Sequence, residues 1–200
     1  FLISRLDNAG IARVATLHGE YALRGMSRIH PLMIPLVRWQ SKTLGRAMGK
    51  MDSVTHVSSA FMQDSFRNWG ESLRGKSVVI PNGVNVSEVR GSLISRLELK
   101  GAYNLLFPGG PKFLKGGDLV IEAMAKVTRE APGIHLYVAL DVPQNHMLRK
   151  MVGHLGLESN VTFSGFLPVR DYRSLLKSVD VLVMPSRQEN VALVYLEARA

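Results

Sequence analysis

Short runs of β-branched and apolar residues recur along the chain, and each is followed by a longer stretch with helical spacing of apolar positions. In the first part, "ARVATLH" (Ala12–His18) reads as a buried strand, and "SVTHVS" (Ser53–Ser58) and "SVVIP" (Ser77–Pro81) read as two more. Between the first two, Pro35–Met51 has helical composition. The stretch "SSAFMQDSFRNWG" predicts another helix, with a serine as N-cap and Gly70 as C-cap. "PNGVN" (Pro81–Asn85) is a break, because Asn-Gly favours tight turns with positive φ. Val86–Lys100 is charged and weakly periodic, and reads as a linker with room for one helix.

A second series follows. Strands are expected at "NLLFP", "IHLYVAL", "NVTFSGF" and "DVLVMP", alternating with helices at "DLVIEAMAKVTRE", "HMLRKMVGHLG", "RDYRSLLKSV" and "VALVYLEARA". In the first of these helices Leu119, Ile121, Ala123, Met124 and Val127 supply a broad apolar face. Continuous apolar strands alternating with helices predict an α/β fold with parallel sheets covered on both sides. The expected organisation is residues 1–85 as one part of a domain, 86–100 as the linker, and 101–200 as a second α/β domain.

Composition changes this picture little. Of the 200 residues, 46% are hydrophobic and 20% charged, which argues for globular structure over disorder. The absence of cysteine excludes disulfides and thiolate metal sites. No apolar run reaches the ~20 residues that span a bilayer, and the first residues lack a signal peptide's layout. A start at Phe1 and a stop at Ala200, in what reads as mid-helix, predict a piece of a longer protein. The net charge of +9, from 25 Lys and Arg against 16 Asp and Glu, favours anionic partners: nucleotides, phosphorylated substrates, acidic lipid or nucleic acid.

In doubly wound α/β domains ligands bind at the carboxyl ends of strands, which singles out three loops. The first, Pro108–Asp118 ("PGGPKFLKGGD"), is glycine-rich and carries Lys112 and Lys115. Such a loop lets backbone N–H groups and a helix N-terminus approach an anion; equally, it reads as a glycine turn with two solvated lysines. It is neither a P-loop nor a GxGxxG element. The second loop, Phe163–Pro168, is a glycine turn leaving a strand. The third joins "DVLVMP" to the last helix and holds Glu189, with Glu197 eight positions on. On a continuous helix that spacing is a net rotation of about 80° and a rise of about 12 Å, so both carboxylates can line one side of a cleft. A solvated helix edge is the other reading of Glu197.

Together these loops resemble the second domain of a retaining glycosyltransferase of the GT-B fold, in the large family called group 1 or family 4. The family's Glu-x7-Glu element matches Glu189 to Glu197 within "PSRQENVALVYLEARA". Further matches are "LLFPGG…KGGDLVIEAMAKV", "NVTFSGFLP…DYRSLLKSVDVLVMPS", "VATLHG", "HVSSAFMQDSF" and "VVIPNGVN", in order over nearly the whole chain. The resemblance implies two Rossmann-like domains and transfer of a sugar from a nucleotide-diphosphate sugar, with retention at the anomeric carbon and no bound metal. It places the acceptor, a saccharide or lipid-linked sugar, on the first domain and the donor mainly on the second. The implied setting is cytoplasmic polysaccharide assembly. By position, Lys115 is expected to stabilise the departing diphosphate, Glu189 to orient the donor sugar and Glu197 to hold the ribose. Backbone amides of Ala192 and Leu193 are expected to face the phosphates, and His18 the donor sugar. The expected donor-binding set also takes in Gly109, Gly110, Lys112, Gly165, Phe166, Leu167, Asn190 and Val191.

Departures from the family pattern sharpen the expectation. The arginine usual in the phosphate loop is replaced by Gly110, with Lys112 as a candidate substitute. The glycines after the first glutamate are Asn190 and Ala192, and the glycine-rich turn after "IHLYVAL" is Leu140–Pro143, which has none. These changes bear on donor identity. By itself this chain is expected to bind nucleotide weakly and to turn over nothing. Separately, Arg38, Lys42, Arg46 and Lys50 recur every four residues beside Trp39, a stripe that suits anionic lipid or is simply solvated. A GT-B relative with other nucleotide-sugar chemistry, such as epimerisation, and a basic anion-binding module are the alternative classes. Nucleic-acid binding has only charge in its favour.

Overall fold

The computed structural model describes residues 12–18, 32, 34–91, 96–109, 113–144 and 146–200, and the chain divides into two compact units, Phe1–Asn82 and Gly83–Ala200. The first unit contains β1 (Val14–Leu17), α1 (Ile34–Gly49), β2 (Ser53–His56), α2 (Ser59–Trp69), a 3₁₀ segment (Glu71–Lys76) and β3 (Ser77–Val79). Its strands are parallel in the order β1-β2-β3, with Val14 opposite Ser53 and Val54 opposite Ser77. Helix α2 starts where expected because the Ser58 hydroxyl accepts the Phe61 N–H at 3.2 Å, and it stops at Gly70.

Val54, Val57, Phe61, Phe66 and Leu73 are fully or almost fully buried and form the heart of this unit, each contributing about 1.5–3 kcal/mol by leaving water. The expectation that β1 is a buried strand is corrected. Only Leu17 is buried, while Val14 and Thr16, on one face of this edge strand of the described sheet, are exposed.

The second unit runs α3 (Val86–Arg90), β4 (Tyr103–Phe107), a 3₁₀ turn (Phe113–Lys115), α4 (Gly117–Glu130), β5 (Ile134–Val138), α5 (Met147–His154), β6 (Val161–Phe163), α6 (Val169–Ser178), β7 (Val181–Leu182) and α7 (Leu193–Arg199). Its strands are all parallel, in the order β6-β5-β4-β7. Alternate residues of the central strands face opposite layers, as the two-residue period requires. Phe107, Leu136 and Val138 pack with Val120, Ile121 and Met124 of α4 and with Leu148 and Val152 of α5. On the other face Leu106 and Tyr137 pack with Leu175 of α6. Helices therefore cover both faces of this sheet.

Helix α4 buries Gly117, Val120, Ile121 and Met124, the i, i+3, i+4, i+7 stripe. The broader face read from the sequence is corrected at Leu119, Ala123 and Val127, which are exposed because they fall outside that stripe. Residues 86–100 belong to the second unit. Within them the Leu97 N–H donates to Ser178 Oγ at 2.7 Å, the Lys100 N–H donates to Tyr137 Oη at 2.9 Å, and Leu99 packs on the α6 side of the sheet.

Candidate active site

Strand order singles out one place at the carboxyl ends of the second sheet. The chain builds outward from β4 through β5 to β6, then crosses back to place β7 on the other side of β4. The order reverses between β4 and β7, the switch point outside whose carboxyl ends open α/β sheets hold their ligand crevice. One of these loops is the glycine-rich stretch after Phe107; the other is the stretch from Val183 to Ala192.

The glycine-rich stretch passes Pro108 and Gly109, and after the 3₁₀ turn Phe113–Lys115 it enters α4 through Gly116. Gly110 and Lys112 lie outside the described residues. Gly116 has φ 72°, in the left-handed region, and a Cβ placed there would collide with the Pro185 carbonyl oxygen. Only glycine meets both demands, and it lets the two loops approach backbone to backbone.

Lys115 and Glu189 meet in this crevice, Nζ to Oε2 at 2.6 Å, with both side chains about one-third exposed. Ser186 Oγ lies 3.4 Å from the same carboxylate oxygen and donates to it. The two residues belong to different loops, 74 positions apart in the chain. Their meeting is what the crevice between β4 and β7 produces.

A second contact between the loops lies beyond the sequence expectation. The Arg187 guanidinium donates to both carboxylate oxygens of Asp118 in the first turn of α4, at 2.8 and 2.6 Å. It also donates to the Phe113 carbonyl at 2.8 Å and lies 3.8 Å over the Phe113 ring. The Arg187 N–H donates to the Leu114 carbonyl at 2.8 Å. Hydrogen bonding from Arg187 holds the Asp118 carboxyl below the ordinary aspartate range and, reciprocally, raises the guanidinium's pKa. The available signal in the sequence is an arginine two positions before Glu189 and an acid opening the helix after the glycine loop.

The two glutamates take different neighbours. Helix α7 begins only at Leu193, so the helical spacing expected between Glu189 and Glu197 applies to its last four steps and not to all eight. Glu197 lies on α7, one-fifth exposed, with Oε1 4.0 Å from Arg173 Nη2 on α6; the same nitrogen lies 3.5 Å from Glu88 on α3. Next to Arg173, the Tyr172 hydroxyl is buried without a hydrogen-bond partner, and burial, with the Glu197 charge adding to it, pushes its pKa up. Asn190, Val191 and Ala192 are half-buried and Leu193 is exposed at the start of α7, where Ala192 makes no side-chain cap.

Beyond β6, Gly165 turns the chain with φ 72°, Phe166 is 87% exposed, and Leu167 packs against the Leu106–Tyr137–Leu175 cluster. His18 directly follows β1 in the other unit and is exposed. Arg38, Lys42, Arg46 and Lys50 are all exposed, the first three on α1 and Lys50 just beyond its end.

Residues 96–200 match the family described as Glycosyl transferases group 1. An alpha-D-kanosaminyltransferase from Streptomyces kanamyceticus is 33% identical over 108 residues, covering 51% of this chain and 28% of the relative. A 2-deoxystreptamine glucosyltransferase from the same organism is 27% identical over 177 residues, 84% of this chain and 44% of the relative. Among solved structures, Alr3699/HepE of Anabaena, in complex with UDP and glucose, superposes with a TM-score of 0.69 at 19% identity, over 92% of this chain and 49% of that one. The chain thus spans less than half the length of each of these proteins. The expected α/β architecture, parallel sheets flanked by helices in the GT-B manner, is the one observed. With its family match running across the whole crevice, from the strand before Lys115 to the helix after Glu189, this chain belongs to the group 1 glycosyl transferases.

Proposed function

We propose that this chain carries the donor-binding side of an enzyme that transfers a sugar from a nucleoside diphosphate to an acceptor, with retention at the anomeric carbon. The observation that carries this reading is the pairing of Lys115 with Glu189 where the strand order reverses. When the bond from the anomeric carbon to the diphosphate breaks, its electron pair leaves on the phosphate oxygen. A half-buried ammonium beside that oxygen stabilises the growing charge. Glu189 accepts from hydroxyls of the donor sugar and orients it, and Glu197 accepts from the ribose.

On the resemblance, amides around Ala192 and Leu193, together with Gly109, Gly110 and Lys112, are assigned to the phosphates, and Asn190 and Val191 to the sugar. Gly165, Phe166 and Leu167 border the base. His18 is assigned a sugar contact on the resemblance of its strand motif. The relatives support a sugar nucleotide as donor: two are named as sugar transferases, and the Anabaena protein was solved with UDP and glucose.

The same reading makes the protein a cytoplasmic one in polysaccharide assembly, held at the inner face of the membrane by α1. In support, this helix carries no carboxylate, its four cations lie exposed along it and just past its end, and Leu36 and Trp39 are exposed beside them. Among the described residues no helix is long and apolar enough to cross a membrane.

A donor screen tests the proposal. UDP-, GDP- and ADP-linked hexoses are offered to the full-length protein with a saccharide acceptor panel, and release of nucleoside diphosphate is measured. Release with at least one donor, lost in Lys115→Ala and Glu197→Ala, is expected. An anomeric proton coupling in the product that matches the donor's configuration supports retention; the opposite coupling overturns it.

A further inference from the structure

We infer that Arg187 is a positioning residue for Lys115, setting where its ammonium meets the donor diphosphate; this rests on the reading of Lys115 given above. Lysine is a charge on a flexible four-carbon stem, so the position of its head depends on how firmly its backbone is held. Lys115 ends a three-residue 3₁₀ turn, a form with poorer hydrogen-bond geometry than an α-helix. Arg187 grips that turn from both sides of Lys115. Before the lysine, it takes the Phe113 carbonyl at 2.8 Å, stacks on the Phe113 ring at 3.8 Å and donates its own N–H to the Leu114 carbonyl at 2.8 Å. After the lysine, it forms the two-pronged pair with Asp118.

The pair is three-quarters or more buried on both sides, where a forked charge-assisted bond is strong and geometrically specific. Its guanidinium charge is satisfied by Asp118 and by a backbone carbonyl, so Arg187 acts by holding Lys115 and not by touching phosphate. Glu189 sits two positions along from Arg187 in the same loop, so one side chain ties together the strand ends that carry both members of the Lys115–Glu189 couple.

The contact of Lys115 with the outer phosphate distinguishes nucleoside diphosphates from monophosphates, and this gives a readout that general destabilisation does not mimic. Isothermal titration of the full-length protein with UDP, GDP and ADP, each against its monophosphate, measures the preference directly. The expected preference is about tenfold or more for the base that binds, from one charge-assisted contact. Lys115→Ala removes it.

Arg187→Ala and Arg187→Lys are expected to reduce the preference to near that of Lys115→Ala while leaving monophosphate affinity unchanged. Lysine fails there because it lacks the planar fork and the stacking surface. Should the alanine variant not fold, Arg187→Lys and Asp118→Asn carry the same comparison. Arg187 variants that keep the wild-type preference, or that lose mono- and diphosphate affinity by the same factor, overturn the inference. A wild-type protein with no diphosphate preference overturns the reading of Lys115 itself, and the role of Arg187 with it.

Discussion

At the scale of single residues, Gly116 is the most constrained position in the crevice. Its left-handed backbone and the Pro185 carbonyl oxygen, which stands where a Cβ would need room, act together. Gly165 shares the left-handed φ but has open space around it. Gly165→Ala is therefore expected to cost about 1–2 kcal/mol, the strain of a left-handed L-residue alone. Gly116→Ala is expected to cost about 3 kcal/mol or more, since overpacking adds to that strain. Urea titration of the two variants measures the difference, and equal losses would contradict it.

His56 gives a prediction in pH. Its ring is buried in the first unit against Phe61 and Phe66, at 5.8 and 6.3 Å between centroids, and neither ring nitrogen has a hydrogen-bond partner. Burial lowers its pKa from the ordinary 6.5. The unfolded chain then binds the proton more readily than the folded one. The stability contribution is complete above pH 6.5 and is lost as pH falls from there through the folded value. Denaturation at a series of pH values is expected to show this decline in the wild type and a shallower one in His56→Phe. The same slope in both would locate the effect elsewhere.

These residues also show how much is legible in the sequence. Lys115 and Glu189 stand out because a glycine loop with a lysine, and an acid at a strand's carboxyl end, have recognisable local surroundings. Arg187 and Asp118 do not, because their significance is a contact across 69 positions and neither has a local signature. Glu197 is legible as a carboxylate on the last helix. Its proximity to Arg173 is not, since that depends on how α6 and α7 pack.

At the scale of elements, the face of α4 separates core from surface. Ile121→Ala and Met124→Ala each remove a side chain almost wholly buried against the sheet, and are expected to cost about 2–5 kcal/mol. Leu119→Ala and Val127→Ala, at positions more than one-third exposed, are expected to cost about 1 kcal/mol or less. Thermal melts rank the four, and a reversed ranking would contradict the assigned face. Composition identifies this helix but not its orientation, because apolar residues ring most of its circumference and only the stripe of Gly117, Val120, Ile121 and Met124 is buried.

Helix α1 poses the opposite case, an element with cations and no carboxylate on its exposed side. Flotation with phosphatidylserine-containing vesicles is expected to recover the protein, and high salt or the double variant Arg38→Glu, Lys42→Glu to release it. Each basic residue near such a surface contributes about 1 kcal/mol. Recovery equal to that with neutral vesicles would remove the membrane contact.

At the scale of the whole molecule, the alternation of apolar strands and helices makes the α/β class and its parallel sheets readable. Apolar runs with no polar face fit strands covered on both sides, as the central strands β4 and β5 are. Strand order is not readable, because parallel neighbours are set by how crossovers fold back and not by any strand's own residues. Yet that order builds the candidate site: by placing β7 beside β4 it brings Glu189 to Lys115.

Binding of a nucleoside diphosphate in this crevice underlies every functional role assigned to its residues. Amide NMR of the chain titrated with UDP, GDP and ADP tests that binding residue by residue. At least one of the three is expected to shift the amides of Gly109, Lys115 and Gly116 together with those of Glu189 through Leu193. No shift with any nucleotide, or shifts confined to residues away from these two loops, would contradict it.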